Sequence, residues 1–320
     1  MIIYQGKSQL DHETNIVCIA TDGSSNQKTG SMVQTWILHA DLDPISANRW
    51  GNDRGICGDC IHKGTEKSLF TFRGTAAQRS CYVLLLGPQS IFRTYIAGGY
   101  KTARPDKLSK LGRGRIIRVG SYGDPAAVPA DTWRNLLQDC AGWTGYSHQL
   151  LSADKTSLNN QFLEYSDFCM LSADTIEQAR LAWSQGLRTY RTVESIEEID
   201  AQKEILCPAS EQAGKVTTCA KCKLCSGSKG KAQKARSVAI PVHGAGKRHF
   251  SANSNWKSKR SLCHISIKLS AFAVFGCIFS TFWNSSQKIT NKNMPLVSKS
   301  LLGAFLPLVL PLVFKQTKCP

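Results

Sequence analysis

The apolar and polar positions of this chain change period several times. Residues 16–20 form a short apolar run that reads as a strand; the polar turn 21–30 and a second apolar stretch at 32–40 follow. Residues 41–60 contain Pro44, Gly51, Gly55 and Gly58 and read as loop around a short helix. The run C-Y-V-L-L-L at 81–86 predicts a buried strand. Ile91, Phe92, Tyr95 and Ile96 share one helical face, which predicts a helix over 89–97. Strand and helix periods then alternate. A β-rich run spans 115–119, and Trp133, Leu136, Leu137 and Cys140 stand at helical spacing within 130–140. Strands are expected at 145–148, 168–171, 187–193 and 237–242, with a helix at 175–185 that Gly186 closes. Ser172, Ala173 and Asp174 read as the turn before that helix, with Asp174 as its cap. Strands alternating with helices imply βαβ units. The expected class is α/β, with a parallel sheet or a partial (β/α) barrel.

From about residue 250 the pattern is lost. Two apolar runs, 269–283 and 301–314, are each shorter than the ~20 residues that cross a bilayer. Pro307 and Pro311 interrupt the second. The expected organisation is an α/β domain at 1–249 and a basic, poorly ordered tail at 250–320. A membrane hairpin is the other reading of the tail.

Charge sharpens this division. The formal net charge is +17, yet up to Glu211 22 Lys and Arg face all 23 Asp and Glu. The other 18 basic residues follow with no acid among them. A nucleic-acid partner is therefore suggested only for the basic segment 215–248, not for the body.

Thirteen cysteines carry the chemistry. Their number is odd, and no basic n-region with an apolar h-region opens the chain, so a reducing, cytoplasmic setting is expected. Cys219, Cys222 and Cys225 stand at intervals of three, and Cys207 lies upstream. Three thiolates so spaced converge when the backbone turns, and a fourth completes a cluster or a zinc site. The expected cofactor is a [4Fe–4S] cluster, with zinc as the alternative. Lys215, Lys221 and Lys223 nearby offset thiolate charge. A second group is Cys57 and Cys60 in C-G-D-C, with Cys81 downstream. Three thiolates leave one iron of a cluster open to substrate; a zinc site using His62 is the rival. Cys18, Cys140 and Cys169 lie on apolar stripes and read as core.

Ligands of α/β folds bind at the carboxyl ends of strands. Asp124, in G-S-Y-G-D-P, is therefore a candidate ligand contact or a helix cap. Tyr146, His148 and His243 also end expected strands and are candidates for the same mouth. The loop Asn26, Lys28, Thr29 and Gly30 suits an anion, but no Walker pattern, G-x-S-x-G or H-E-x-x-H is present.

The ordered series N-Q-K-T-G-S-M-V-Q, C-G-D-C, C-Y-V, G-S-Y-G-D-P-A-A-V-P, G-W-T-G-Y-S-H-Q, C-P-A-S, C-A-K-C-x-L-C and A-I-P-V-H-G resembles the phage "gene product 88" family over about 15–249. That family in turn resembles radical SAM enzymes, which place three cysteines on a partial (β/α) barrel, often with an auxiliary cluster. Their loop reads C-x3-C-x2-C, whereas Cys81 here lies far from Cys60. The resemblance implies a catalytic cluster on Cys57, Cys60 and Cys81, with Gly123 and Asp124 near a SAM amino group. The expected function is thus an iron–sulfur enzyme of radical or redox type. The alternatives are a zinc-stabilised nucleic-acid or protein-binding module and attachment to a membrane through the tail.

Overall fold

The computed structural model describes residues 1–23, 26, 28–64, 79–229, 235–244 and 246–250. The chain divides into two units, Met1–Ser258 and Lys259–Pro320, and every element below belongs to the first. The apolar runs expected at 269–283 and 301–314, with Cys263, Cys277 and Cys319, lie outside the described residues. Among the described residues no helix is long and apolar enough to cross a membrane.

The α/β expectation is met by one nine-stranded sheet among the described residues. Its strands are β1 (Ile2–Lys7), β2 (Asn15–Thr21), β3 (Val33–His39), β4 (Ile116–Tyr122), β5 (Gly142–Ser147), β6 (Met170–Ala173), β7 (Thr189–Val193), β8 (Glu204–Leu206) and β9 (Ser237–Pro241). They lie side by side in the order β1-β2-β3-β4-β5-β6-β7-β9-β8. β2 runs antiparallel to β1 and β3, and every later pair is parallel. Neighbours in sequence are neighbours in the sheet until the final exchange of β8 and β9.

Burial explains why these runs are strands. Ile16, Val17, Cys18, Ile19 and Ala20 of β2 are all buried, as is every residue of β6 and of β9. Such strands are covered on both faces and read as continuous apolar runs. After the short α4 (Leu108–Gly112), the helix α5 (Ala130–Leu137) buries Ala130, Trp133, Leu136 and Leu137 on one stripe, and the Trp133 indole donates to Pro125 O at 2.9 Å. A buried indole needs that partner for its one polar atom.

The strand expected at 81–86 is corrected. That run is a turn leading into α3 (Leu86–Ile96), and Tyr82, Leu84 and Leu86 are exposed. The Arg79 guanidinium donates to Cys81 O and Val83 O, occupying carbonyls that a ladder would have used. A short apolar run has the same signature in a strand and at a helix entry, so periodicity alone does not separate them. β1 and β8 were not expected: the first is a half-exposed edge, and the second has only three residues.

All the parallel strands end on one edge, and the loops beyond them build the site. The turn after β4 shows how tightly. Gly123 has φ +81°, and a Cβ there would lie 2.7 Å from Ile37 Cβ and 2.8 Å from Ile56 Cγ2. Strain and overpacking together make Gly123→Ala cost on the order of 1–3 kcal/mol. A urea midpoint unchanged in that variant would refute this account of the turn.

Candidate metal centre

A cavity of about 160 Å³ opens at the carboxyl edge of the sheet. One water needs ~10–15 Å³ on this measure, so the space admits a small molecule or a metal centre with its ligands. Its walls include Cys57, Cys60, Cys81, Asp124, Tyr146, His148 and His243, which the sequence places far apart.

The β3–β4 connection supplies the first wall. It holds two short helices, α1 (Pro44–Arg49) and α2 (Arg54–Cys57), then a 3-10 turn at Ile61–Lys63. Asn48 Nδ2 ties these together, donating to Asp53 Oδ2 at 2.8 Å and Lys63 O at 2.9 Å. The result presents Cys57, Cys60 and His62 to the cavity. Cys81 N donates to His62 O at 2.9 Å, which brings the third cysteine alongside. The tyrosine after it, Tyr82, tilts against His243 with ring centroids 5.6 Å apart.

The strand ends supply the second wall. Asp124 caps the 3-10 turn Pro125–Ala127 and accepts from Ala126 N at 3.0 Å. It also accepts from Ser147 Oγ at 2.7 Å and from His148 N at 2.8 Å. Its carboxylate therefore pins the end of β5, and so sets where His148 stands.

Asp174 does not cap α6 (Ile176–Ser184), and that expectation is corrected. Thr175 is the cap, and its hydroxyl accepts from Gln178 N. The spacing Thr175, Gln178 is that of a capping box, a signal in the sequence that names Thr175 instead. Gln178 Oε1 accepts from Asp174 N at 2.8 Å. Both Asp174 carboxylate oxygens are buried without a hydrogen-bond partner. His62 Nε2 lies 3.5 Å and His148 Nε2 3.4 Å from the same oxygen, Oδ1. Among the described residues, His62, His148 and Asp174 form the one group of three or more candidate ligands whose donor atoms all lie within 4.8 Å of one another.

These groups bias one another's protons. Burial pushes the Asp174 carboxyl up, but His148 and His62 outweigh it and hold the group well below the usual carboxylate range. Burial pushes the Cys60 thiol up as well, yet the His148 ring 3.8 Å away, with His62, brings it down to about 7. Burial, with Asp53 and neighbouring thiols, keeps Cys57 well above the ordinary thiol value, and Cys81 is raised too. In metal-free protein, Cys60 is therefore the first cavity thiol to be alkylated as pH rises. Its rate will fall away below a midpoint of about 7, where the thiolate is lost. Mass mapping of iodoacetamide labelling between pH 5 and 9 checks this; equal labelling of all three thiols at each pH would refute it.

The later cysteines gather beside a tyrosine pair. Cys207 follows β8 and donates its N–H to Ala239 O at 2.8 Å. Cys219 and Cys222 begin and end the single turn α7 (Cys219–Cys222). Cys207 and Cys225 are buried in one apolar cluster with Met170, Val238 and Ile240, and Cys219 packs against it. Cys222 is close enough to Cys207 to raise its thiol value, after burial and Cys219. Tyr146 and Tyr190, with ring centroids 4.2 Å apart, line the cavity, and the Tyr146 hydroxyl reaches the Cys225 thiol. Arg118 lies over Tyr146 at 4.5 Å and donates to the Tyr82 hydroxyl at 2.8 Å. Sequence reasoning passed over Arg118 and Tyr190, which lie in β4 and β7, and Ser80, which lies in the β3–β4 connection, none with a motif of its own. Compared with known proteins, the chain matches no family model, no curated protein and no solved structure.

Proposed function

We propose that this chain is an iron–sulfur protein that carries out redox chemistry in the cavity, with a [4Fe–4S] cluster on Cys207, Cys219, Cys222 and Cys225. The spacing of those four cysteines carries the reading. They share one neighbourhood: Cys207 and Cys225 are buried in one apolar cluster, Cys219 packs against it, and Cys222 lies close enough to Cys207 to raise its thiol value. The interval of three between Cys219, Cys222 and Cys225 is that of ferredoxin-type iron–sulfur sites. Lys28 and Arg118 bring positive charge towards this group, which favours an anionic cluster.

The reading extends to Cys57, Cys60 and Cys81. A cluster on three thiolates leaves an iron facing the cavity, which Tyr146 and Tyr190, tilted against one another beside the Cys207 group, also line. Resemblance to the phage gene product 88 family, and through it to radical SAM enzymes on partial (β/α) barrels, supports the same class. SAM would then lie near Gly123 and Asp124. The rival, a zinc-stabilised nucleic-acid binder using the basic segment 215–248, has less support. Lys215 pairs with Glu211, and Lys223 and Arg236 donate to the carbonyls of Ala141 and Ala201.

The test is metal content, acid-labile sulfide and a visible spectrum on the full chain purified without oxygen. About four irons per cluster with matching sulfide, and a brown colour, are expected. Colourless protein carrying zinc alone would overturn the proposal and turn attention to salt-dependent nucleic-acid binding.

A further inference from the structure

The group His62, His148 and Asp174 has a geometry that hydrogen bonding does not explain. Two imidazole nitrogens face one carboxylate oxygen at 3.5 and 3.4 Å, and neither carboxylate oxygen has a hydrogen-bond partner. The interior does not normally leave a buried carboxylate without a well-formed hydrogen bond, and here the two imidazoles are its near neighbours. The separations match the edges of a metal polyhedron instead. Tetrahedral bonds of ~2.0–2.1 Å, as zinc makes to nitrogen and oxygen, put neighbouring ligands roughly 3.3–3.4 Å apart. An octahedral ion with similar bonds would draw them to about 3.0 Å.

We propose that His62 Nε2, His148 Nε2 and Asp174 Oδ1 hold a single zinc-class divalent ion whose fourth position opens to the cavity beside Cys60. This goes beyond the iron–sulfur reading and does not depend on what Cys57, Cys60 and Cys81 hold.

The surroundings fit such an ion. His62 Nδ1 is paired with Ser80 Oγ at 2.9 Å, which leaves Nε2 to face the ion. Phe250 stacks on the same ring at 5.5 Å and 7°, fixing its plane. Outer partners of this kind set the tautomer and direction of metal-binding histidines. His148 is placed by the bond from its N–H to Asp124, and Asp174 is freed because Thr175 caps the helix. Cys60 Sγ lies 3.8 Å from His148 Nε2 but outside the group of three. Three protein ligands with one open position is the pattern of catalytic rather than structural zinc. An ion there acidifies a bound water, or polarises a substrate oxygen, at the mouth of the cavity.

The experiment compares zinc and iron content in the full chain and four variants, followed by titration with cobalt(II) as a visible probe. Wild type is expected to hold about one zinc beyond its iron, and metal-stripped protein to bind one cobalt with tetrahedral bands. Asp174→Asn and His148→Ala should lose that ion and keep the iron of the Cys207 group. Ser80→Ala, which changes no ligand and so guards against misfolding, should weaken cobalt binding roughly ten- to a hundredfold. Cys219→Ser should lose iron and keep zinc. The inference is overturned if wild type binds neither zinc nor cobalt, or if Asp174→Asn binds them as wild type does. It is also overturned if Asp174→Asn and His148→Ala lose iron instead of zinc. Zinc without any iron in wild type would leave this site standing and defeat the iron–sulfur reading.

Discussion

Cys219→Ser is expected to strip most of the iron held by the Cys207 group and with it the larger part of the visible absorbance. Cys219 opens α7, and its backbone N–H donates to Lys28 O at 2.9 Å. Serine keeps that bond and the local turn, so the change falls on the ligand atom. A neutral hydroxyl does not replace a thiolate on iron, so the corner of the cluster that Cys219 binds loses its anchor. Because ligand binding and folding are linked, the melting temperature should fall with the iron. Cys140→Ser is the control: Cys140 is half-buried and belongs to neither cysteine group, so iron should be unchanged. Full iron in Cys219→Ser would remove the central assignment, in which all four thiolates hold the cluster.

Glu204→Ala should cost about 3–5 kcal/mol, the largest single loss of stability expected among exchanges outside the apolar core. Its carboxylate takes both arms of Arg191, at 2.9 and 2.6 Å, and a backbone N–H from Asp200 at 3.0 Å. The two side chains are 0% and 4% exposed, so removing one leaves a charge buried without its counterion. The damage also reaches the site. Glu204 begins β8, whose pairing with β9 ends one residue before Cys207. Loss of that register should therefore lower iron content too. Arg134→Ala is the comparison. It breaks exposed pairs with Asp131 and Glu164, which are worth ~0–1 kcal/mol. Urea unfolding of the two variants checks both; equal midpoints would show that the buried pair contributes no more than the exposed ones.

Local pattern carried much of the fold. The alternation of two-residue and 3.6-residue periods between 115 and 193 is written in neighbouring residues, and β4, α5, β5, β6, α6 and β7 appear close to where it put them. Where the signal was not local, it failed. The run at 81–86 has the composition of a strand, but Arg79 takes the carbonyls of Cys81 and Val83, and Leu85 enters the core while Tyr82, Leu84 and Leu86 stay exposed. β8 has three residues and exists because β9 is there to pair with it.

The site divides in the same way. C-x2-C-x2-C and C-G-D-C mark by themselves which thiols are candidates to share a centre, because spacing along the chain limits how far apart their sulfurs can be. No spacing says that His62, from the β3–β4 connection, will meet His148 after β5 and Asp174 after β6. That meeting follows from parallel strands in consecutive order, which deliver their carboxyl ends to one edge. The capping box that frees Asp174 was legible, whereas its consequence was not: a carboxylate released from a helix end acquires a role only from whatever the sheet sets beside it. Residue order alone thus says which side chains are candidate ligands by chemical type. Which of them share a centre is set by the assembled sheet, because the contacts that join them link strand ends far apart along the chain.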